Sequence, residues 1–139
     1  MTESTEQNSN AESLLPLHSD IVQASKQETL AIFRELLERL WERIVGLIGE
    51  TASVAIFRSA LQEANHDHSL LQQIDIDHRG IHLERLQQTL DVLDRHALRA
   101  GLMAFTDNVM TLLIDLTGGI LLRKVEPLLE QFKQKLDKT

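Results

Sequence analysis

Residues 98–116 read LRAGLMAFTDNVMTLLIDL, and the large apolar residues in this stretch recur at helical spacing. They advance by four, three, four, three and four positions, in the order Leu98, Leu102, Phe105, Val109, Leu112 and Leu116. A helix turns once every ~3.6 residues, so these side chains share one face that must be buried against another helix. The stretch therefore predicts a long amphipathic helix in an all-α protein.

A second stretch keeps the same spacing. Residues 30–47 read LAIFRELLERLWERIVGL and advance by three, four, three, four and three positions, at Leu30, Phe33, Leu37, Leu40, Ile44 and Leu47. Shorter helical series occupy residues 54–64, 83–93 and 121–132. We therefore expect a compact bundle of about five amphipathic helices, forming one domain over residues 19–139.

Local signals predict where the two long helices begin and end. The first should start between Asp20 and Ser25, because Ser25 to Glu28 has the S-x-x-E form of a capping box. It should end near Leu47, followed by Gly49. The other should run from about residue 95 to residue 117, with Asp94 as its N-cap and Gly118 after its last turn.

Residues 1–18 differ in composition from the helical part. The first thirteen are polar and acidic without periodicity, and Pro16 interrupts the short apolar run at Leu14, Leu15 and Leu17. We expect a disordered or loosely docked N-terminal tail there.

The helical spacing is also lost near residues 73–83. Ile74, Asp75 and Ile76 alternate, and Gly80 would suit a tight turn before Ile81. A very short β-hairpin and a plain loop are both consistent with this pattern.

Both long helices carry further apolar residues outside the two series given above, which repeat every seven residues and are called here the heptad series. These further residues include Ile32 and Leu36 in the first helix, and Met103 and Met110 in the other. A small domain can hardly bury every such face, so we predict a homodimer. The residues assigned to packing and to the interface are Phe33, Leu37, Trp41, Phe105, Val109 and Leu112.

Composition excludes several function classes. The formal net charge is -7, with 21 acidic and 14 basic side chains among 139 residues, which disfavours binding to nucleic acid. Cysteine is absent, so there are no disulfides or thiolate metal sites. The chain has no run of ~20 apolar residues, and its first residues lack the features of a signal peptide. We expect a cytoplasmic protein that binds neither membrane nor cofactor.

Four of the six histidines lie within seventeen residues, interleaved with aspartates. Imidazole and carboxylate groups bind Zn, Fe, Ni or Mn, so His66, His68, His78 and His82 are candidate metal ligands. The segment lacks the helical periodicity that would impose a ligand pair, so a polar connection without metal is favoured.

One further histidine lies in a short motif. His96-Ala97-Leu98-Arg99-Ala100 resembles the H-x-L-K/R-G/A core of histidine phosphotransfer domains, over five of the 139 residues. The resemblance implies that His96 accepts a phosphoryl group and that Arg99 steadies it. Met103 and Phe105 stand where that family has small residues, which favours a solvated histidine in the first turn of a helix.

The sequence thus favours a non-enzymatic helical interaction or regulatory module that self-associates. No nucleophile, base and orienting group stand at a known catalytic spacing. A small-ligand or metal sensor using residues 66–82, and phosphotransfer through His96, are the alternatives.

Overall fold

The computed structural model describes the backbone of residues 11–137, and the side chains of residues 25–120 and 123–137. Five helices follow one another as α1 (Ala11–Ile48), α2 (Glu50–Asn65), α3 (Glu84–Gln88), α4 (Arg95–Thr117) and α5 (Ile120–Asp137). One antiparallel hairpin joins β1 (Asp75–Asp77) to β2 (Gly80–His82). Short 3-10 turns precede the hairpin, at Ser69–Gln73, and follow α3, at Leu90–Val92. The predicted all-α bundle of about five helices is confirmed.

The helices pack mainly as α2 against α4 and α1 against α5. α1 and α5 run antiparallel, since Arg43 Nη1 donates to the Lys124 carbonyl at 2.6 Å and Lys135 bonds to Glu35 near the other end of α5. A Gly118-Gly119 turn connects α4 to α5, and both glycines have positive φ, at 64° and 89°. The carboxyl ends of α1 and α4 therefore lie at the same end of the bundle as the start of α5.

Aromatic rings mark the centre of the core. Phe57 of α2 packs edge-on against Trp41 of α1, with ring centroids 5.4 Å apart, and against Phe105 of α4 at 6.3 Å. Phe33 and Phe132 join α1 to α5 in the same way at 4.8 Å. These rings bury large apolar areas and prefer such edge-to-face contacts, so they stabilise the mutual packing of four helices.

The six residues assigned to packing and to the interface lie inside one chain. Phe33, Leu37, Phe105 and Val109 have no exposed surface and Trp41 is 8% exposed. Leu112 is half-buried and packs against the same core. The packing assignment is therefore correct. The interface assignment is wrong for the five buried residues, because they present almost no surface to a second copy.

α1 begins earlier than the sequence predicts. It runs from Ala11 through Pro16, so the start expected between Asp20 and Ser25 is wrong, and Ser25 lies in the helix interior rather than at an N-cap. Of the expected tail, residues 1–10 lie outside the described residues and residues 11–18 belong to α1. Proline lacks only one backbone hydrogen bond, and the long apolar seam that follows can sustain the helix.

Other local predictions hold. Asp94 is the N-cap of α4, and its carboxylate accepts from the Ala97 amide at 3.0 Å. Gly118 is the left-handed C-cap of the same helix. α5 passes through Pro127 as a single helix, although the sequence left a kink or a new start open there.

The hairpin near residues 73–83 is present, with Ile76 paired to Ile81 and Gly80 at a φ of 129°. A Cβ at Gly80 would stand 3.4 Å from the Trp41 indole nitrogen, so the turn lies directly on the core. Arg58 of α2 donates twice to the Ile76 carbonyl, at 2.9 and 3.1 Å. A marginal two-stranded element is thus held by contacts with α1 and α2.

α4 is the only described helix that is long and apolar enough to span a bilayer by length and composition. Within the 18-residue stretch of this helix that has the highest mean hydropathy, 44% is buried inside the fold. A core helix of a helical bundle passes the same test.

Candidate functional site

Four of the five large apolar side chains that are exposed among the described residues lie at one end of the bundle, called here the apolar end, and the fifth, Val92, lies before α4. The members of the apolar end are Leu47, Ile114, Leu116 and Ile120, with exposed fractions of 40, 40, 67 and 69%. Because Arg43 is bonded to Lys124, residues four positions further along α1 and four positions back along α5 lie at the same level. Those residues are Leu47 and Ile120, and Leu116 precedes the turn that leads into α5.

An open groove between α1 and α5 adjoins the apolar end. It encloses about 540 Å³ and has Leu47 and Leu128 among its apolar lining, with Gly46 leaving space between them. Arg43 and Glu42 contribute both signs of charge to its walls. The groove is therefore lined by both apolar and charged side chains, a mixture that protein-protein contacts tolerate at their rim.

The four histidines between residues 66 and 82 are not brought together. His66 ends α2, His68 precedes the first 3-10 turn and His78 is exposed in the hairpin turn. Within the described part of the chain, no group of three or more His, Cys, Asp or Glu side chains is placed to hold a metal ion.

His82 does have a carboxylate partner. Its Nε2 lies 2.8 Å from Asp77 Oδ1, across the hairpin. This hydrogen bond, with a second from the Arg79 amide at 2.8 Å, lowers the pKa of Asp77 to about 2 from its ordinary 3.8. Both side chains are about one third exposed, so the contribution of this pair to the stability of the turn is small.

His96 lies where the sequence predicts it, as the second residue of α4. It is exposed and lines a small pocket between α1 and α4, called here the basic pocket. The described residues that line this pocket are Ser25, Thr29, Arg95, His96 and Arg99. The structure therefore joins His96 and Arg99, as the phosphotransfer resemblance implies, and adds Arg95 and two hydroxyls.

Lys26 forms a contact that the sequence did not indicate. The side chain is only 5% exposed, and its Nζ donates to the carbonyls of Asp91 and Leu93, both at 3.1 Å. These carbonyls come just before α4, so Lys26 ties α1 to the start of that helix. A buried lysine is rare unless its charge is satisfied in this way.

The exposed apolar residues and the basic pocket were both missed by sequence reasoning. Leu47 and Leu116 belong to the heptad series, but each is its last member and lies beyond the partner helices. Ser25 and Thr29 are one turn apart in α1 and therefore share a helix face. This pair of hydroxyl groups, just before the apolar series of α1, was the one sequence feature that could have indicated the basic pocket.

Comparisons with protein-family models, with curated proteins and with solved structures find no match to this chain.

Proposed function

We propose that this protein is a non-enzymatic helical interaction module that self-associates through the apolar end. The observation that carries the proposal is the exposure of Leu47, Ile114, Leu116 and Ile120 at one end of an otherwise buried core. The occupant that we propose is a second copy of the same chain.

The size of the apolar end supports an interface. The largest apolar patch on a typical monomer covers roughly 300–600 Å² and is often functional. Four aliphatic side chains exposed by 40 to 69% lie at this end of the fold, and the groove between α1 and α5 adjoins them. A stable pair of subunits buries about 800 Å² on each partner, so the proposed interface must include the polar border as well as these four side chains.

The charges around the apolar end favour pairing with a second copy. Glu50 and Asp115 are exposed at the start of α2 and the end of α4, and Arg123 and Lys124 are exposed in the first turns of α5. In a two-fold dimer the same patch meets itself, so each acidic group can face a basic group of the other copy. A border with both signs of charge fits such a self-complementary contact.

The remaining sequence predictions stay proposals. We propose a cytoplasmic protein that binds neither nucleic acid nor membrane, in keeping with its net charge of -7 and with the partial burial of α4. A metal sensor gains no support from the dispersed histidines between residues 66 and 82. Phosphotransfer would require acid-labile phosphate on the protein after incubation with phosphorylated receiver domains, and that label would vanish in His96→Gln.

The test of self-association is sedimentation velocity of the full chain over a concentration series reaching tens of micromolar. We expect a dimer for the native chain and a monomer for the double variant Leu116→Gln, Ile120→Gln. Both changes are on exposed surface and keep a residue that is compatible with a helix, so the fold should persist.

Val92→Gln is the matched control, because Val92 is 84% exposed but belongs to the 3-10 turn before α4. It should sediment as the native chain does. A native chain that stays monomeric throughout, or a double variant that dimerises as well as the control, would refute the proposal.

A further inference from the structure

The basic pocket holds a set of hydrogen-bond donors that make no hydrogen bond or ion pair with the residues that the structure describes. Arg95 and Arg99 are exposed, and neither makes an ion pair or hydrogen bond with the residues that the structure describes. Arg39 and Arg85, in contrast, each lie within 4 Å of a carboxylate, at 3.1 and 3.6 Å. Both guanidinium groups of the basic pocket are therefore exposed without a partner among the described residues.

The position of the two arginines places two like charges side by side. They are four residues apart on α4, so they lie one above the other on the same helix face. Like charges at this spacing destabilise a helix, and an anion between them would relieve the repulsion. Guanidinium groups also present a planar set of donors that matches phosphate oxygens.

The other lining residues fit the same ligand. Ser25 and Thr29 of α1 bring hydroxyl groups to the pocket from the opposite side, and Thr29 is only 2% exposed. None of the described lining residues is acidic. The first amides of α4 are not required, because the Asp94 carboxylate already accepts from Ala97.

The dimensions of the pocket limit the ligand. Its volume is about 170 Å³, below the ~300–1,000 Å³ of pockets that enclose drug-sized ligands. A tetrahedral oxyanion fits inside, and any larger group attached to it would extend into solvent. Lys26 fixes the two walls relative to each other through its bonds to the Asp91 and Leu93 carbonyls, so the donors are held in place before a ligand arrives.

We propose that the basic pocket between α1 and α4 binds a small phosphate-type oxyanion, either inorganic phosphate or the phosphoryl group of a small phosphomonoester. Arg95 and Arg99 bind the charge, and the hydroxyls of Ser25 and Thr29 complete the set of donors. The inference is independent of self-association, since the pocket and the apolar end lie at opposite ends of α4.

The test is a titration of the ¹⁵N-labelled full chain at low ionic strength, followed by NMR and calorimetry. Inorganic phosphate, glycerol 3-phosphate and chloride are added in separate arms. We expect saturable shifts confined to the amides of residues 25–29 and 94–99 with the two phosphates. The compound with the lower Kd shows whether the ligand is free phosphate or the phosphoryl group of a phosphomonoester.

Arg95→Gln with Arg99→Gln should weaken phosphate binding at least tenfold, because each charge-assisted hydrogen bond contributes about that factor. Arg79→Gln is the matched control, because Arg79 is an exposed arginine in the hairpin turn, far from the pocket. The turn packs on Trp41, which lies about 18 Å further along α1 than Thr29. It should bind as the native chain does.

A further variant should strengthen phosphate binding rather than weaken it. Asp94→Asn removes a negative charge beside Arg95 and keeps an equally good N-cap, so phosphate should bind more tightly. Equal shifts with chloride, no saturation with either phosphate, or unchanged binding in the double arginine variant would overturn the proposal.

Discussion

The two ends of α4 differ in almost every respect, although one continuous helix connects them. At its amino end, Asp94 caps the helix and Arg95 and Arg99 line a polar pocket. At its carboxyl end, Leu116 is exposed and Gly118 turns the chain in a left-handed conformation. Between them the helix is core, with Phe105 fully buried. A single helix can therefore present a charged recognition surface and an apolar one while its middle stabilises the domain.

The largest effect should come from the middle of α4, because it connects both ends. Phe105→Ala removes a fully buried ring that packs on Phe57, and it should lower the free energy of unfolding by about 3–5 kcal/mol. Urea unfolding measures this loss, and hydrogen exchange should accelerate at both ends of the helix. The control is Val92→Ala, since Val92 is 84% exposed and lies outside the apolar end, and it should change stability by no more than about 0.5 kcal/mol. Equal losses in the two variants would mean that the core is not organised around this ring.

A change at the amino end alone should have a smaller and one-sided effect. Lys26→Met keeps much of the buried stem but leaves the carbonyls of Asp91 and Leu93 without their donor, which should cost about 1–3 kcal/mol. Hydrogen exchange should rise over residues 88–97 and stay unchanged over residues 112–120. Lys133→Met, on the exposed side of α5, is the control and should match the native chain. Faster exchange at both ends would show that the ends of α4 are coupled.

The smallest effect should come from a polar contact that belongs to neither end. The hydrogen bond from His82 holds the pKa of Asp77 at about 2, below its ordinary 3.8. A carboxylate with a depressed pKa contributes stability above pH ~4, and this contribution is lost as the pH falls toward 2. The melting temperature should therefore fall less between pH 4 and pH 2 in Asp77→Asn than in the native chain. Asp67→Asn, at an exposed aspartate outside the hairpin, should keep the native profile. An identical fall in all three proteins would exclude the pair as a source of acid sensitivity.

Features encoded within a few residues could be predicted from the sequence. The Asp94 cap, the Gly118 turn and the hairpin around Gly80 each depend on the conformational preferences of one or two residues, and all are present. The apolar spacing likewise predicted which helices would form. Pro16 and the capping-box pattern at Ser25 were misleading, because α1 continues through both under the influence of its longer apolar seam.

Features that depend on which helix lies opposite could not be predicted. A heptad seam is equally suited to contact with another helix of the same chain or of a second copy, so Phe33 and Val109 were assigned to an interface and are core residues. The basic pocket combines Ser25 with Arg99, which are far apart in the chain and meet only through the packing of α1 on α4. Lys26 carries no sign of burial in its local sequence, because its partners are backbone carbonyls near residue 92.

The position of the hairpin turn on Trp41 gives the protein an optical reporter. This indole is the only tryptophan and the chain has no tyrosine, so near-ultraviolet excitation addresses a single residue. With 8% of its surface exposed and Gly80 lying against its ring nitrogen, Trp41 should emit at short wavelength in the folded state. Lifting the hairpin would admit water to the indole and shift the emission to the red, even if the helices stayed packed. Time-resolved fluorescence of the unlabelled chain can therefore follow this one turn separately from the bundle.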